Sequence, residues 1–301
     1  LTNSTVSNNT APVGGGINSR EGTLTLNNTA VTQNTQTQNP QTGITLRGGT
    51  ANFTNQSSIS GGVTGLAVSG SATVNLGNTR FSGQTGNYIA LTNGALAGQT
   101  LNATGVSFDG VTSSTATVPQ LFNIQSKITD ALTNPEVGFV QLKANNLFVT
   151  PGNSIQNAVN VAANGDTVNL ASGTYNVPGL TTQVEINKNL TVLGSGAGST
   201  IVDGGNNSRV FDISGAGNVV TLNGLTIQNG NAIFSFGGGI RVGSGSTLNL
   251  TNSNVSGNSA SFGGGIANSG IVTVSNNSTI SNNKARLGGG IYNEGFGFNT
   301  A

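Results

Sequence analysis

Short runs in which apolar and polar residues alternate recur along the chain, separated by clusters of Asn, Gly and Ser. Examples are "TLTL" at 23–26, "TVNL" at 73–76, "TLNL" at 247–250 and "IVTV" at 271–274. Period-two alternation marks strands buried on one face, and the polar clusters mark the turns between them. The runs keep a common phase. The tetrapeptide GGGI ends at Ile17, Ile240, Ile266 and Ile291, the last three 26 and 25 residues apart. A second unit sets one apolar residue in a polar frame: "TNSTVSNN" at 2–9, "NSNVSGN" at 252–258 and "NNSTISNN" at 276–283. In the first third this unit places Val6, Val31, Ile59, Phe81 and Val106 at spacings of 25, 28, 22 and 25.

A repeat of 22–28 residues holding several short strands predicts an all-β fold, a parallel β-helix whose coils stack about 4.8 Å apart. The crossover rule makes the expected winding right-handed. Stacking sets like above like. Ile17, Ile240, Ile266 and Ile291 are expected in one inward column, and Val6, Val31, Val255 and Ile280 in another. Gly15, Gly238, Gly264 and Gly289 are expected at corners that require positive φ, and Asn8, Asn258 and Asn282 at turns where amides form ladders.

The period breaks over 118–150. Leu121, Ile124, Ile128 and Leu132 fall at helical spacing there, and Asn134-Pro135 ends the run. A short amphipathic helix followed by strands near 137–142 and 146–149 is the expected reading. A second helix, carrying Ile155, Val159 and Ala162, is expected after Ser154 as its cap, with Gly165 closing it. The chain therefore divides into coils over 1–117, a helix-containing linker or cap over 118–150, and a β-helix with an N-terminal cap helix over 151–301.

Composition narrows the function. Only 6% of residues are charged and the formal net charge is +1, so no basic cluster offers a nucleic acid or an anionic membrane a footprint. Leu, Ile, Val and Phe number 77 of 301, enough to share a core and against disorder. No apolar stretch is long enough for a membrane span. The chain has no Cys, which removes disulfides and thiolate sites. It has no Met either, and is read as cut from something longer.

The stretch "SIQNAVNVAANGDTVNLASGTY" with "INKNLTVLGSG" and "STIVDGGNNSRVFDIS", within 151–215, resembles the opening of pectin-lyase-like right-handed β-helix domains, in which a short helix caps the first coil. The GGGI coils with "VSNN" or "ISNN" are similar to repeats of bacterial polymorphic outer-membrane proteins and related adhesins, with Gly where those repeats carry Ala and Val or Ile where they carry Phe. These resemblances imply a β-helix at a bacterial cell surface. The two ends also fit each other. Across a junction of two copies, Ile291 and Ile17 stand 27 residues apart, in phase with the other coils. This predicts one period of a tandem or end-to-end array.

Catalytic chemistry has little material. The acids are Glu21, Asp109, Asp130, Glu136, Asp166, Glu185, Asp203, Asp212 and Glu294. A glycosidase needs two carboxylates flanking one bond, and only Asp203 and Asp212, with Arg209 between them, are close in sequence. Without His, a Ser-His-Asp triad is excluded. The glycine triplets precede strands rather than a Lys-Ser helix start, so they are corners and not phosphate loops. The Asn-x-Ser/Thr sites beginning at Asn3, Asn27, Asn52 and Asn276 read as turn and ladder residues. Asp is too sparse for a calcium repeat. No catalytic residue, cofactor or metal is expected. The expected function is a structural or adhesive module of an extracellular bacterial rod or filament, with copies of itself as the expected partners and a surface polysaccharide as a further candidate. The alternatives are a carbohydrate-active enzyme and a β-helix whose outward Thr binds polysaccharide or ice.

Overall fold

The computed structural model describes residues 1–38, 41–177 and 183–294. The chain forms two compact units, Leu1–Asn146 and Leu147–Ala301. Both are parallel β-solenoids, together about 11 turns, and the protein is about 47% strand and 6% helix.

In the first unit, Thr5–Ser7, Ala30–Thr32, Ser58–Ser60, Arg80–Ser82 and Ser107–Phe108 pair in parallel, one per coil. Their registers set Val6 on Val31, Val31 on Ile59, Ile59 on Phe81 and Phe81 on Phe108. Val106, expected in this column, is buried beside it. The ring at Phe108 takes the place and stacks on Phe81 at 5.6 Å. A second column runs Ile17, Ile44, Leu66, Ile89 and Ile128. Like residues fall above like because each strand hydrogen-bonds its equivalent one coil on, so one burial choice is repeated along the axis.

Residues 113–146 close the first unit. Helix α1 is Val118–Gln125, with Pro119 in its first turn and the Thr117 N–H donating to the Gln120 side chain at 2.9 Å. It buries Leu121 and Ile124. Ile128, expected on this helix, instead begins the strand Ile128–Thr129 that pairs with Ile89. Ile128 completes an inward column, and that burial outweighs its match to helical spacing. Asp130 ties the segment together: its carboxylate accepts from the N–H of Leu132 at 3.0 Å, Val140 at 3.1 Å and the Gln125 amide at 3.3 Å.

The second unit starts under helix α2, Ile155–Val161. Ser154 caps it, its hydroxyl accepting from the Asn157 N–H at 3.3 Å, and Ile155, Ala158 and Val159 are buried. The stack behind it carries three inward columns. They run Val184, Phe211, Ile240, Ile266, Ile291; Tyr175, Val202, Ile227, Val255, Ile280; and Val168, Val192, Leu222, Leu250, Val274.

The glycine triplets divide their labour. Positive φ falls on the first member, at +61° for Gly14, +66° for Gly237, +63° for Gly263 and +64° for Gly288. Gly15, Gly238, Gly264 and Gly289, expected to supply that conformation, are outside the positive-φ set. The first three are needed for closeness instead. A Cβ would lie 2.5 Å from the Thr35 carbonyl carbon at Gly15, 2.4 Å from the Ser259 oxygen at Gly238 and 2.5 Å from the Lys284 oxygen at Gly264. At Gly289 the nearest atom would be 3.1 Å away.

Candidate functional site

The coils at the open side of each unit depart from the rest. Ile240 and Ile266 are 0% exposed, whereas Ile291, next in the same column, is 45% exposed. Val274 of that last coil stands at 38%, whereas Leu250, aligned with it one coil in, is 0% exposed. Ile280 is half-buried although Val255 beneath it is fully buried. In the first unit Val6 and Ile17 are half-buried, while Val31 and Ile44, one coil in, are buried. The cause is local. Each of these strands ends its sheet, so its inward side chains have a neighbour on one side alone. The opposite side of each unit is covered, by 113–146 in the first and by α2 in the second.

Two polar columns bracket the apolar ones. Asn8 and Asn282 take left-handed φ of 56° and 55° at turns, as do Gln33, Asp109 and Asn229 elsewhere. Asn tolerates this region better than branched residues do. Asn258 belongs one position further on and points inward. It is fully buried, its amide donates to the Ile227 and Ser256 carbonyls, both at 3.1 Å, and its oxygen accepts from the Gly230 N–H at 2.7 Å. Its amide also reaches Asn283 Oδ1 at 2.9 Å, and the Asn9 amide meets Asn34 Oδ1 in the same manner at 3.0 Å. The pattern that sequence reading missed is this inward ladder. Its signal was the second Asn of "SNN" at 8–9 and 282–283.

Charged residues gather in two places. In the second unit Asp212 Oδ2 accepts from Arg209 at 2.9 Å, Arg241 at 3.1 Å and Gln183 at 3.2 Å. Burial depresses the Arg209 pKa, against the pull of Asp212, and its guanidinium also donates to the Phe236 and Gly237 carbonyls. Asp203 accepts from Gln228 and Asn229, both at 2.8 Å, and from the Gly205 N–H at 2.8 Å. Asp203 and Asp212, the two acids close in sequence, thus each accept hydrogen bonds from the coil that follows. Beside α2 lies a cavity of about 730 Å³, lined by residues including Gln156, Tyr175, Gln183 and Glu185. In the first unit the Tyr88 hydroxyl donates to Asp109 at 2.6 Å, and Lys127 lies 3.8 Å from that carboxylate and 4.8 Å from the Tyr88 ring centre. Burial, then the Asp109 contact, pushes the phenol up, and the Tyr88 hydroxyl bond holds Asp109 below the usual carboxylate range.

Outward threonines align on adjacent coils at Thr167, Thr191 and Thr221 in the second unit and at Thr23, Thr50 and Thr73 in the first. Two residues on, the column reads Thr25, Asn52, Asn75, and the Asn75 amide donates to Asn52 at 2.7 Å. Among the described residues no group of three His, Cys, Asp or Glu is placed to hold a metal ion, and no helix is long and apolar enough to cross a membrane. No family model, no curated protein and no solved structure matches the chain. These comparisons lend no support to the resemblance to pectin-lyase-like and polymorphic outer-membrane repeats, and what stands is a parallel β-solenoid.

Proposed function

We infer that the chain is a structural and adhesive repeat module of an extracellular bacterial surface rod or filament, extended by stacking the last coil of its second unit on the first coil of another copy's first unit. The observation that carries this reading is the pair of open coils, because their sequences match column for column. Ile280 corresponds to Val6, Asn283 to Asn9, Gly288–Gly290 to Gly14–Gly16 and Ile291 to Ile17. Unpaired strand edges with exposed inward side chains are templates for further pairing. A matching coil would bury Ile291, Ile280 and Val274, each side chain contributing on the order of 1–3 kcal/mol when fully covered. Copies joined within one polypeptide and copies associating as separate chains satisfy the same geometry.

Electron cryomicroscopy of the purified chain at high concentration tests this reading. Continuous β-helical density running from the coil of Ile291 into the coil of Ile17 is expected, and I17K and I291K are expected to abolish it. The lateral variant T25K, on an exposed strand position, should leave it intact. Discrete particles with both coils bare in solvent would overturn the proposal.

A further inference from the structure

Among the described residues of the first unit, one sheet of the stack is split. Thr23–Asn27, Thr50–Thr54 and Thr73–Asn75 form one ladder, Thr100–Asn102 and Phe139–Gln141 form another, and no ladder joins Thr73–Asn75 to Thr100–Asn102. The cause is an insertion in the preceding turn. Three residues, 70–72, separate the strand ending at Ser69 from that starting at Thr73, whereas seven, 93–99, separate Thr92 from Thr100. The longer turn carries the next strand out of step. Pairing resumes at Arg80 with Ser107, and at Gly105 a Cβ would already be 3.4 Å from the Gly77 oxygen, so the split is a short slot closed at that end.

The parallel alternation fixes which groups face it. The Thr73 N–H donates back to Gly49 at 2.8 Å, so Thr73 and Asn75 serve the earlier coil and Val74 turns toward the slot. Opposite, Phe139 donates to the Gln99 carbonyl at 3.0 Å and Ala103 donates to the Gln141 carbonyl at 2.9 Å, which turns the main-chain groups of Thr100 and Asn102 toward Val74. The slot has a volume of about 410 Å³, and its lining includes Asn75, Thr100, Asn102 and Thr104 but no charged residue.

We propose that this slot is a binding site for a neutral saccharide. The Thr104 hydroxyl donates to Asn102 and the Asn75 amide to Asn52. The facing main-chain donors and acceptors, the Asn75 oxygen, the Asn102 amide nitrogen and the Thr100 hydroxyl suit a ligand rich in uncharged hydroxyls, each able to donate and to accept. The volume falls within the range of about 300–1,000 Å³ usual for small-molecule sites. An anion would find no cation there. An apolar ligand would strand the polar edges. The site lies away from the open coils and stands independently of the rod reading.

The test is amide chemical-shift mapping on the isotope-labelled full chain, titrated separately with cellobiose, maltose and chitobiose, with glucuronic acid and trialanine as comparisons. At least one neutral disaccharide is expected to shift the amides of Val74, Leu76, Thr100 and Asn102 saturably. T100W, which fills the slot from an exposed position, is expected to weaken that binding at least tenfold, while T25W on the paired part of the same sheet leaves it unchanged. Unperturbed spectra elsewhere verify that both variants fold. Absence of shifts with all three disaccharides would overturn the proposal. So would shifts that persist in T100W, or a response to trialanine or glucuronic acid alone.

Discussion

Asn258 shows what a buried amide does in a coil whose interior is otherwise apolar. Its amide and carbonyl meet three main-chain groups of the coil before it and of its own, and the side chain is wholly enclosed. N258L would keep the volume, leave the Gly230 N–H without its acceptor and take one donor each from the Ile227 and Ser256 carbonyls. A stranded buried N–H costs about 1–3 kcal/mol and each lost carbonyl bond about 1 kcal/mol, so a loss of roughly 3 kcal/mol is expected in denaturant unfolding. N282L at the exposed turn should cost about 1–2 kcal/mol, since the penalty there is left-handed φ alone. Glycines separate by the same logic. G264A forces a methyl to within 2.5 Å of a carbonyl oxygen, whereas at Gly217, with φ of 83°, nothing lies within 4 Å. G264A is therefore expected to lower the melting temperature well beyond G217A, whose cost of roughly 1 kcal/mol is conformational.

The elements show where a repeating sequence is readable and where it misleads. The strands of the GGGI and "SNN" units follow from alternation and spacing, because each coil makes the same burial choice. Ser154 was legible as a cap from its place before the apolar run. The column position of Phe108 and the fate of Ile128 were not, since both depend on which coil the residue meets. Val106 and Ile128 satisfied local spacing, yet the lengthened turn at 93–99 and the closing segment moved the register. The inward amide ladder was hidden for the same reason: adjacent asparagines at 282 and 283 look alike until the turn assigns one outward and one inward. That closing segment also carries a pH signature. Burial raises the Asp130 pKa from 3.8 to about 6, outweighing the three hydrogen bonds that pull it down. The folded state therefore holds a proton that the unfolded chain releases between these two values, and stability falls as pH rises from about 4 to 6. The shift corresponds to a loss on the order of 3 kcal/mol. Denaturant midpoints measured across that window should decline in the wild type, and D130N should remove this component of the slope.

For the molecule as a whole, each unit is a stack in which a coil touches mainly its two neighbours, so stability is a sum of coil and interface contributions. Interior coils have two interfaces and the open coils one. Local opening should then begin at Ile271–Ser275 and Ile291–Asn293 in the second unit and at Thr5–Ser7 in the first, while Val219–Asn223 opens with the body of its unit. Hydrogen exchange on the dilute chain is expected to show amides of the open coils exchanging at least ~100-fold faster than those of Val219–Asn223, a difference of about 3 kcal/mol in opening free energy. The proposed stacking makes a second demand on the same amides. Under assembling conditions the open coils gain their missing interface, so their protection should rise toward that of the interior while the interior stays unchanged. With 6% charged residues and a net charge of +1, the new interface would rest on apolar columns and main-chain ladders. Raising the salt well above physiological strength, which screens surface charge, should therefore leave that protection in place. Protection lost with salt would instead identify an electrostatic contact and separate the open coils from the assembly.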